Sequence, residues 1–309
     1  MNIQQLEYVV ALDRYRHFVT AAESCHVTQP TLTMQLQKLE EEIGVLIFDR
    51  TKKPLRPTPE GELIVVKARQ ILRDVGDLTD TGNVKKMTIE GEFRLGVIPT
   101  VAPYLIPLFL GSFIEENPGT IFRIEEMESE NIIKALKEDR LDLAILATPV
   151  EEKDLNETVV YFESFLLYAP ENHQILQGEY VNTGQLETSK VLLLTEGHCF
   201  RNQALNLCSE RDDEKNQARF YYEIGSIEAL KSLVKRNMGY TLVPELSVSE
   251  QDAKYIKRFE TPEPVREISI VTHRSFNRQL LIDKLKASIR ASLPEGIVTP
   301  KEFVKVKWR

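Results

Sequence analysis

Three patterns predict an α+β chain. Short apolar-faced helices occupy residues 1–58, one long capped helix follows Thr58, and strands alternate with helices from about residue 91. The expected architecture is an all-α N-terminal unit with a wing (1–58), a linker helix (59–88) and a C-terminal α/β region (89–303).

Ile3, Leu6, Val9 and Val10 mark the inner face of the first helix, and Ala21 and Ala22 let a second helix approach closely. Thr28 starts a third, in which Pro30 is tolerated because first-turn N–H groups have no helical partner. Leu32, Leu36, Leu39 and Ile43 form its buried stripe at steps of four, three and four, and Gly44 ends it. Off that stripe, toward the N-terminal end, lie Thr28, Gln29, Pro30, Thr31, Thr33, Gln35 and Lys38. A solvated polar face has the same composition. The preceding Ala-Ala helix and short turn favour a winged helix-turn-helix, whose recognition helix offers donors and acceptors to base edges and phosphates of duplex DNA.

Leu46, Ile47 and Phe48 then anchor a charged hairpin over 50–61, a wing that brings Arg50 and Lys53 to phosphates or the minor groove. The whole chain carries a formal charge of -8, which by itself speaks against nucleic acid. Distribution matters more. Residues 1–60 hold 7 Lys and Arg against 8 Asp and Glu, and four of those seven cations fall within 50–56. Thr58 caps the long helix, Pro59 takes its first position, and Glu60 and Glu62 suit its dipole. Within it Ile64, Ala68, Ile71, Val75 and Leu78 recur at four, three, four and three, a seam for pairing with an identical helix. A helix packed on its own core has a similar stripe.

Beyond residue 91, strands are expected at 92–98, 120–127, 141–147, 190–194, 220–224, 240–243 and 266–272, with helices near 103–116, 129–139, 201–208, 226–236 and 277–291. Such alternation predicts mostly parallel sheets with ligand sites beyond the strand C-terminal ends. The chain holds neither Gly-x-Gly-x-x-Gly nor a P-loop, so no nucleotide cofactor is expected. Apolar residues make up 42% and charged ones 28%, and no apolar run approaches the roughly 18 residues that span a membrane; a cytoplasmic protein is expected. Three Cys in so long a chain argue against a structural disulfide framework.

The segment 197-GHCFRNQALNLC-208 separates Cys199 and Cys208 by nine residues with a helix-like run between them. A helix rising about 1.5 Å per residue holds the two Cα atoms roughly 13 Å apart. A disulfide tolerates only about 4.4 to 6.8 Å. The pair either stays reduced in a folded helix or bridges after that helix unwinds, which makes the segment a candidate redox switch. Helix N-terminal charge and the neighbours His198 and Arg201 favour a Cys199 thiolate, whereas Cys208 follows the apolar Ala204, Leu205 and Leu207 and reads as buried. Two ordinary core cysteines remain an alternative. Zinc fits less well, because the Cys and His do not come in paired ligand spacings; no metal is expected.

With these residues in place, the chain resembles the LysR-type transcriptional regulators over essentially its whole length, most specifically in 19-VTAAESCHVTQPTLTMQLQKLEEEIGVLIFDR-50. The resemblance implies a C-terminal domain of two periplasmic-binding-protein-like subdomains, one from about 89–163 and 266–303, the other from about 164–265. Both 197–208 and 96-GVIPTVAPYLIP-107 are similar to segments of the family's peroxide-sensing branch. That similarity implies a peroxidatic Cys199, a resolving Cys208, and a hydrogen peroxide pocket formed by Thr100, Ser129, His198, Arg201 and Arg266. Ser129 stands where the family often has Thr, and Phe200 where a smaller aliphatic residue is common. The implied partners are operator DNA, a second copy joined through the linker helix (with a tetramer as the larger assembly), RNA polymerase, and a dithiol reductant such as glutaredoxin or thioredoxin. An enzyme is not expected. A regulator answering a metabolite in the inter-subdomain cleft, or a thiol peroxidase, are the other classes; the second would have no use for residues 1–88.

Overall fold

The computed structural model describes residues 1–81, 89–186, 191–207, 224–295, 297 and 302–308. They fall into two compact units, divided between residues 87 and 88 except for 275–277, which group with the first.

In the first unit, α1 (Ile3–Tyr15), α2 (Phe18–Ser24), α3 (Gln29–Ile43) and α4 (Pro59–Thr81) surround one core, and β1 (Phe48–Asp49) pairs antiparallel with β2 (Arg56–Pro57) as the wing. Asn2 and Gln5 close the start of α1 by a reciprocal capping box. Leu6, Val9, Leu12, Ala21, Ala22, Leu32, Leu36 and Leu39 fill the core. Ile3 and Ile43, expected inside, are 41% and 37% exposed. The last turn of α3 instead buries Glu40, whose Oε1 accepts from the backbone N–H of Ile47 (2.8 Å) and Phe48 (3.3 Å). Those amides would otherwise be buried without partners, so a carboxylate outcompetes an apolar side chain there. Leu46 does not join Ile47 and Phe48 in the core; it is exposed.

Thr58 begins α4 as predicted, its Oγ1 accepting from Gly61 N–H at 2.9 Å and donating to Leu46 O at 2.7 Å. The first turn crosses so close to the preceding chain that a Cβ on Gly61 would lie 1.9 Å from Ile47 O. Gly61→Ala is therefore expected to cost about 1–3 kcal/mol. A denaturant midpoint unchanged from the parent chain would contradict this packing. Along the expected seam Ala68 is buried and Ile64 half-buried, whereas Ile71, Val75 and Leu78 are exposed.

The second unit is built on a mixed sheet in the order β4-β3-β5-β9-β6-β7, from β3 (Gly91–Val97), β4 (Thr120–Glu126), β5 (Leu143–Thr148), β6 (Leu155–Tyr168), β7 (Thr241–Pro244) and β9 (Glu263–His273). Between β7 and β9, β8 (Ile256–Arg258) pairs with β6; after β9, β10 (Phe303–Lys305) pairs with it. The helices are α5 (Ala102–Glu116), α6 (Ser129–Lys137), α7 (Cys199–Leu207), α8 (Ile227–Val234) and α9 (Gln279–Ser292).

The expectation of a mostly parallel sheet is corrected. Among the described strands, β3 with β4 and β5, and β10 with β9, run parallel, whereas β9 is antiparallel to both β5 and β6, and β6 to β7 and β8. The sequence reading omitted the 14-residue β6, which is rich in β-branched and aromatic residues but carries no single alternation along its length. β6 and β9 lie side by side from Leu155↔His273 to Ser164↔Val265. They thread from the side of the sheet that holds β3, β4 and β5 into a second core formed by Phe165, Leu167, Phe200, Ala204, Leu230 and Leu242. At 191–194 there is no strand, only a bridge from Val191 to Tyr240; of 220–224, all but Ile224 lies outside the described residues, as does Cys208. Among the described residues no helix is long and apolar enough to cross a membrane.

Candidate functional site

Thr100 and Ser129 stand just beyond the C-terminal ends of β3 and β4, where the alternating pattern predicts ligand contacts. Cys199 opens α7, and its side chain is buried. Gly197 precedes it at φ +97°, a left-handed backbone that glycine tolerates. A Cβ there would also lie 2.3 Å from Glu128 Oε2, which the Glu128 side chain would have to turn aside to admit, so the left-handed backbone is what calls for glycine.

Arg266 organises the enclosure. Its side chain is 1% exposed; Nη1 donates to Thr100 Oγ1 at 2.9 Å and Nη2 to the Thr100 carbonyl at 3.0 Å. The Nε donates to Glu163 Oε2 at 2.8 Å. Glu163 is fully buried, and its other oxygen accepts from Leu246 N–H at 2.9 Å. Glu163 and Arg266 face each other in the β6–β9 register. The guanidinium carbon also lies 5.3 Å from the centre of the Phe200 ring, which stacks on Phe165 at 5.2 Å. Because Arg266 donates to the Thr100 hydroxyl, the hydroxyl proton stays available to a guest.

The electrostatics of the sulfur differ from the sequence expectation. Burial pushes the Cys199 thiol above its ordinary pKa, and the Ser129 hydroxyl, the Arg266 cation and the first backbone amides of α7 pull it back only in part. The Ser129 Oγ is itself buried and reaches no full hydrogen bond among the described residues. His198 was expected to act as a cation. Burial instead lowers its pKa, against an opposing pull from Glu128, and so favours the neutral ring. Arg201 is turned to the preceding loop, donating to Leu194 O at 2.9 Å. Thr100, Ser129, Cys199 and Arg266 thus come together, with His198 beside them and Arg201 bracing the loop. Glu163 and Glu128 escaped the sequence reading. A lone carboxylate in the apolar run 161-YFESFLLY-168 was the available sign of Glu163, since a buried charge needs a buried partner.

On the first unit, α3 presents exposed Gln29, Pro30 and Lys38 and half-buried Thr33, together with Met34 and Gln37, which the sequence reading passed over. Thr28 Oγ1 accepts from Thr31 N–H at 3.4 Å and pairs with its hydroxyl at 2.9 Å, so these two close the start of the helix. Gln35 is turned toward α1, its Oε1 accepting from Gln5 at 3.2 Å. Arg50 donates to Glu40 at 2.6 Å, which neutralises much of its charge; Lys53 is exposed with no partner among the described residues.

Comparison with known proteins agrees with this layout. The profile of the LysR substrate binding domain matches residues 88–294, and that of the bacterial regulatory helix-turn-helix proteins of the lysR family matches residues 3–62. The hydrogen peroxide-inducible genes activator of Haemophilus influenzae is 37% identical over 275 residues, 88% of this chain and 90% of that protein. The DNA-binding transcriptional dual regulator OxyR of Escherichia coli K12 is 34% identical over 296 residues, 95% of this chain and 96% of its own length. Among solved structures, full-length OxyR C199D from Pseudomonas aeruginosa gives a TM-score of 0.82 at 31% identity, covering 95% of this chain and 99% of that one.

Proposed function

We propose, for a chain that belongs to the LysR family of bacterial regulatory proteins, that it is a hydrogen peroxide-sensing transcriptional regulator switched at Cys199. The observation that carries the reading is a buried thiol on the first turn of a helix, with the Arg266 cation beside it and a Ser129 hydroxyl that has no full hydrogen bond among the described residues. Such an enclosure suits a small, polar, uncharged oxidant. Thr100 and Ser129 hold the peroxide, Arg266 favours the thiolate, neutral His198 exchanges a proton, and Arg201 keeps the loop in place.

The Cys199 thiolate attacks one peroxide oxygen, the O–O bond breaks, and the other oxygen leaves as hydroxide, which takes up a proton. This gives a Cys199 sulfenic acid and water. The Cys208 thiolate attacks the sulfenic sulfur, the S–O bond breaks, and a second water leaves as the S–S bond forms. Two electrons pass from the sulfurs to the peroxide. A dithiol of the glutaredoxin or thioredoxin type returns them by thiol–disulfide exchange.

Since α7 is helical from Cys199 to Leu207, bridging to residue 208 requires it to unwind. Local unfolding of this kind costs a few kcal/mol. The signal passes to operator DNA through a dimer joined by α4, along which Ile71 and Leu78 are exposed apolar side chains, and through a tetramer to RNA polymerase. A non-reducing peptide map after one equivalent of peroxide should yield the 199–208 bridge. Two free thiols surviving at these positions would reject the redox reading in favour of a cleft-bound metabolite, and catalytic turnover of peroxide would indicate a peroxidase.

For the DNA contact, Gln29→Ala or Thr33→Ala should cost about 1–3 kcal/mol of discrimination between operator and scrambled duplex. Lys53→Ala should weaken both duplexes alike and reduce the salt slope by about one. Gel-shift titrations at two salt concentrations measure both effects; a sequence-selective loss from Lys53→Ala would reverse the assignment.

A further inference from the structure

A seven-residue segment at the C-terminal end is bound across the sensing helix. Strand β10 runs parallel to β9 with Phe303, Val304 and Lys305 opposite Glu263, Pro264 and Val265, and Val306 N–H donates to Val265 O at 2.9 Å. The segment therefore ends its pairing one residue before Arg266. Beyond that point it crosses α7, and three amide side chains of the helix donate to three consecutive carbonyls of the segment. Gln203 Nε2 reaches Val306 O at 2.9 Å, Asn206 Nδ2 reaches Lys307 O at 2.8 Å, and Asn202 Nδ2 reaches Trp308 O at 3.2 Å. Val306 belongs to the same core as Phe200 and Ala204, and Trp308 is buried.

We propose that residues 302–308 form a strap that positions α7, binds it only while it is helical, and so sets how readily the Cys199 switch oxidises. The argument is geometric. Asn202 and Asn206 share a helix face by being four residues apart, as do Cys199 and Gln203. Unwinding 199–207 scatters the three donors, and the strap loses its hydrogen bonds to the helix and its cover of Phe200 and Ala204. Gln203 is fully buried while α7 is helical, so in that state its amide depends on the Val306 carbonyl for its acceptor. Binding to one state only is reciprocal: the strap is released when α7 unwinds, and α7 unwinds more easily when the strap is absent. None of these contacts falls within residues 88–294 alone, the span matched by the domain profile, so the assignment stands on this chain's own strap. Its bearing on peroxide rests on the redox reading above.

The test compares the full chain, a chain ending at residue 301, and the double substitution Asn202→Ala with Asn206→Ala, which keeps the strap but removes two of its three holds. In the reduced proteins, without peroxide, hydrogen exchange over 199–207 should quicken by about tenfold in both variants, as expected for losing two or three hydrogen bonds, while β3 and β5 keep their protection. Unchanged exchange over 199–207 in the double variant overturns the proposal, whether or not the truncated chain folds. Redox titration in a thiol–disulfide buffer supplies a readout that a purely structural tail would leave alone. A tenfold loss of helical preference moves the midpoint about 30 mV more negative. An unshifted midpoint beside a proven 199–208 bridge also overturns the strap. If no bridge forms in any of the three proteins, the redox reading fails, and the exchange comparison alone decides the strap.

Discussion

A chain carrying Cys199→Ser is expected to bind operator duplex normally and to give one footprint with or without peroxide, a complete loss of response. The substitution swaps sulfur for oxygen in a buried position and leaves the hydrogen-bonded frame of Arg266, Thr100 and Glu163 as it is. What it removes is the one sulfur among the described residues of that site that peroxide can oxidise to a sulfenic acid. Cys25→Ser serves as the control. Cys25 sits half-buried at the end of α2 in the other unit, and burial raises its thiol pKa against a smaller pull from the Ser24 hydroxyl. Its replacement should leave the footprint change intact, and Cys208→Ser should trap the sulfenic acid at Cys199 without the full footprint change. A peroxide-dependent footprint in Cys199→Ser, or equal loss in Cys25→Ser, would remove Cys199 from its assigned role.

Arg266→Gln and Glu163→Gln should affect stability in the same direction and reactivity in opposite directions. Each leaves its partner as an uncompensated buried charge, at a cost of about 3–5 kcal/mol. Their effects on the sulfur diverge because the Arg266 cation favours the thiolate, and Glu163, paired with the guanidinium, offsets that cation. Burial holds the thiol above its ordinary range, so the thiolate fraction, and with it the rate of sulfenic acid formation, should rise as pH climbs from 7 toward 9 in the parent chain. Arg266→Gln should move that profile to higher pH and slow the reaction at pH 7; Glu163→Gln should move it to lower pH and speed it. Each unit of displacement is about tenfold in rate at fixed pH. Stopped-flow thiol loss across this pH range measures it. Displacement of both variants in one direction would mean that the ion pair acts on the sulfur only through shape.

Much of the layout was legible in the sequence because periodicity and capping are local. The stripe of α3, the Thr58-Pro59 start of α4 and the Gly44 stop all follow from neighbours within a turn or two. What the sequence hid was decided across the fold. Ile43 continues the α3 stripe by spacing, yet Glu40 is the buried residue, because two wing amides need an acceptor there. Arg50 and Gln35 read as free polar groups in the sequence, whereas in the fold the first is paired with that same carboxylate and the second with Gln5. At the thiol, the cysteine and its helix were visible from spacing, but the balance of its charge was not. Burial outweighs the helix N-terminus at Cys199 and favours the neutral form of His198, and neither effect can be read from residues side by side in the chain.

Glu40 also limits what any signal can adjust. One carboxylate holds Ile47, Phe48 and Arg50 to α3, while Thr58 and the close crossing of Gly61 over Ile47 fix the root of α4 to the same stretch of backbone. Recognition helix, wing and the start of α4 are clamped into a single stylus with no joint inside it. A gene-regulatory input arriving along α4 therefore cannot retune which bases one stylus prefers. In the proposed dimer it sets where two of them touch down, so the two proposed oxidation states should share a half-site alphabet and differ in the punctuation between half-sites.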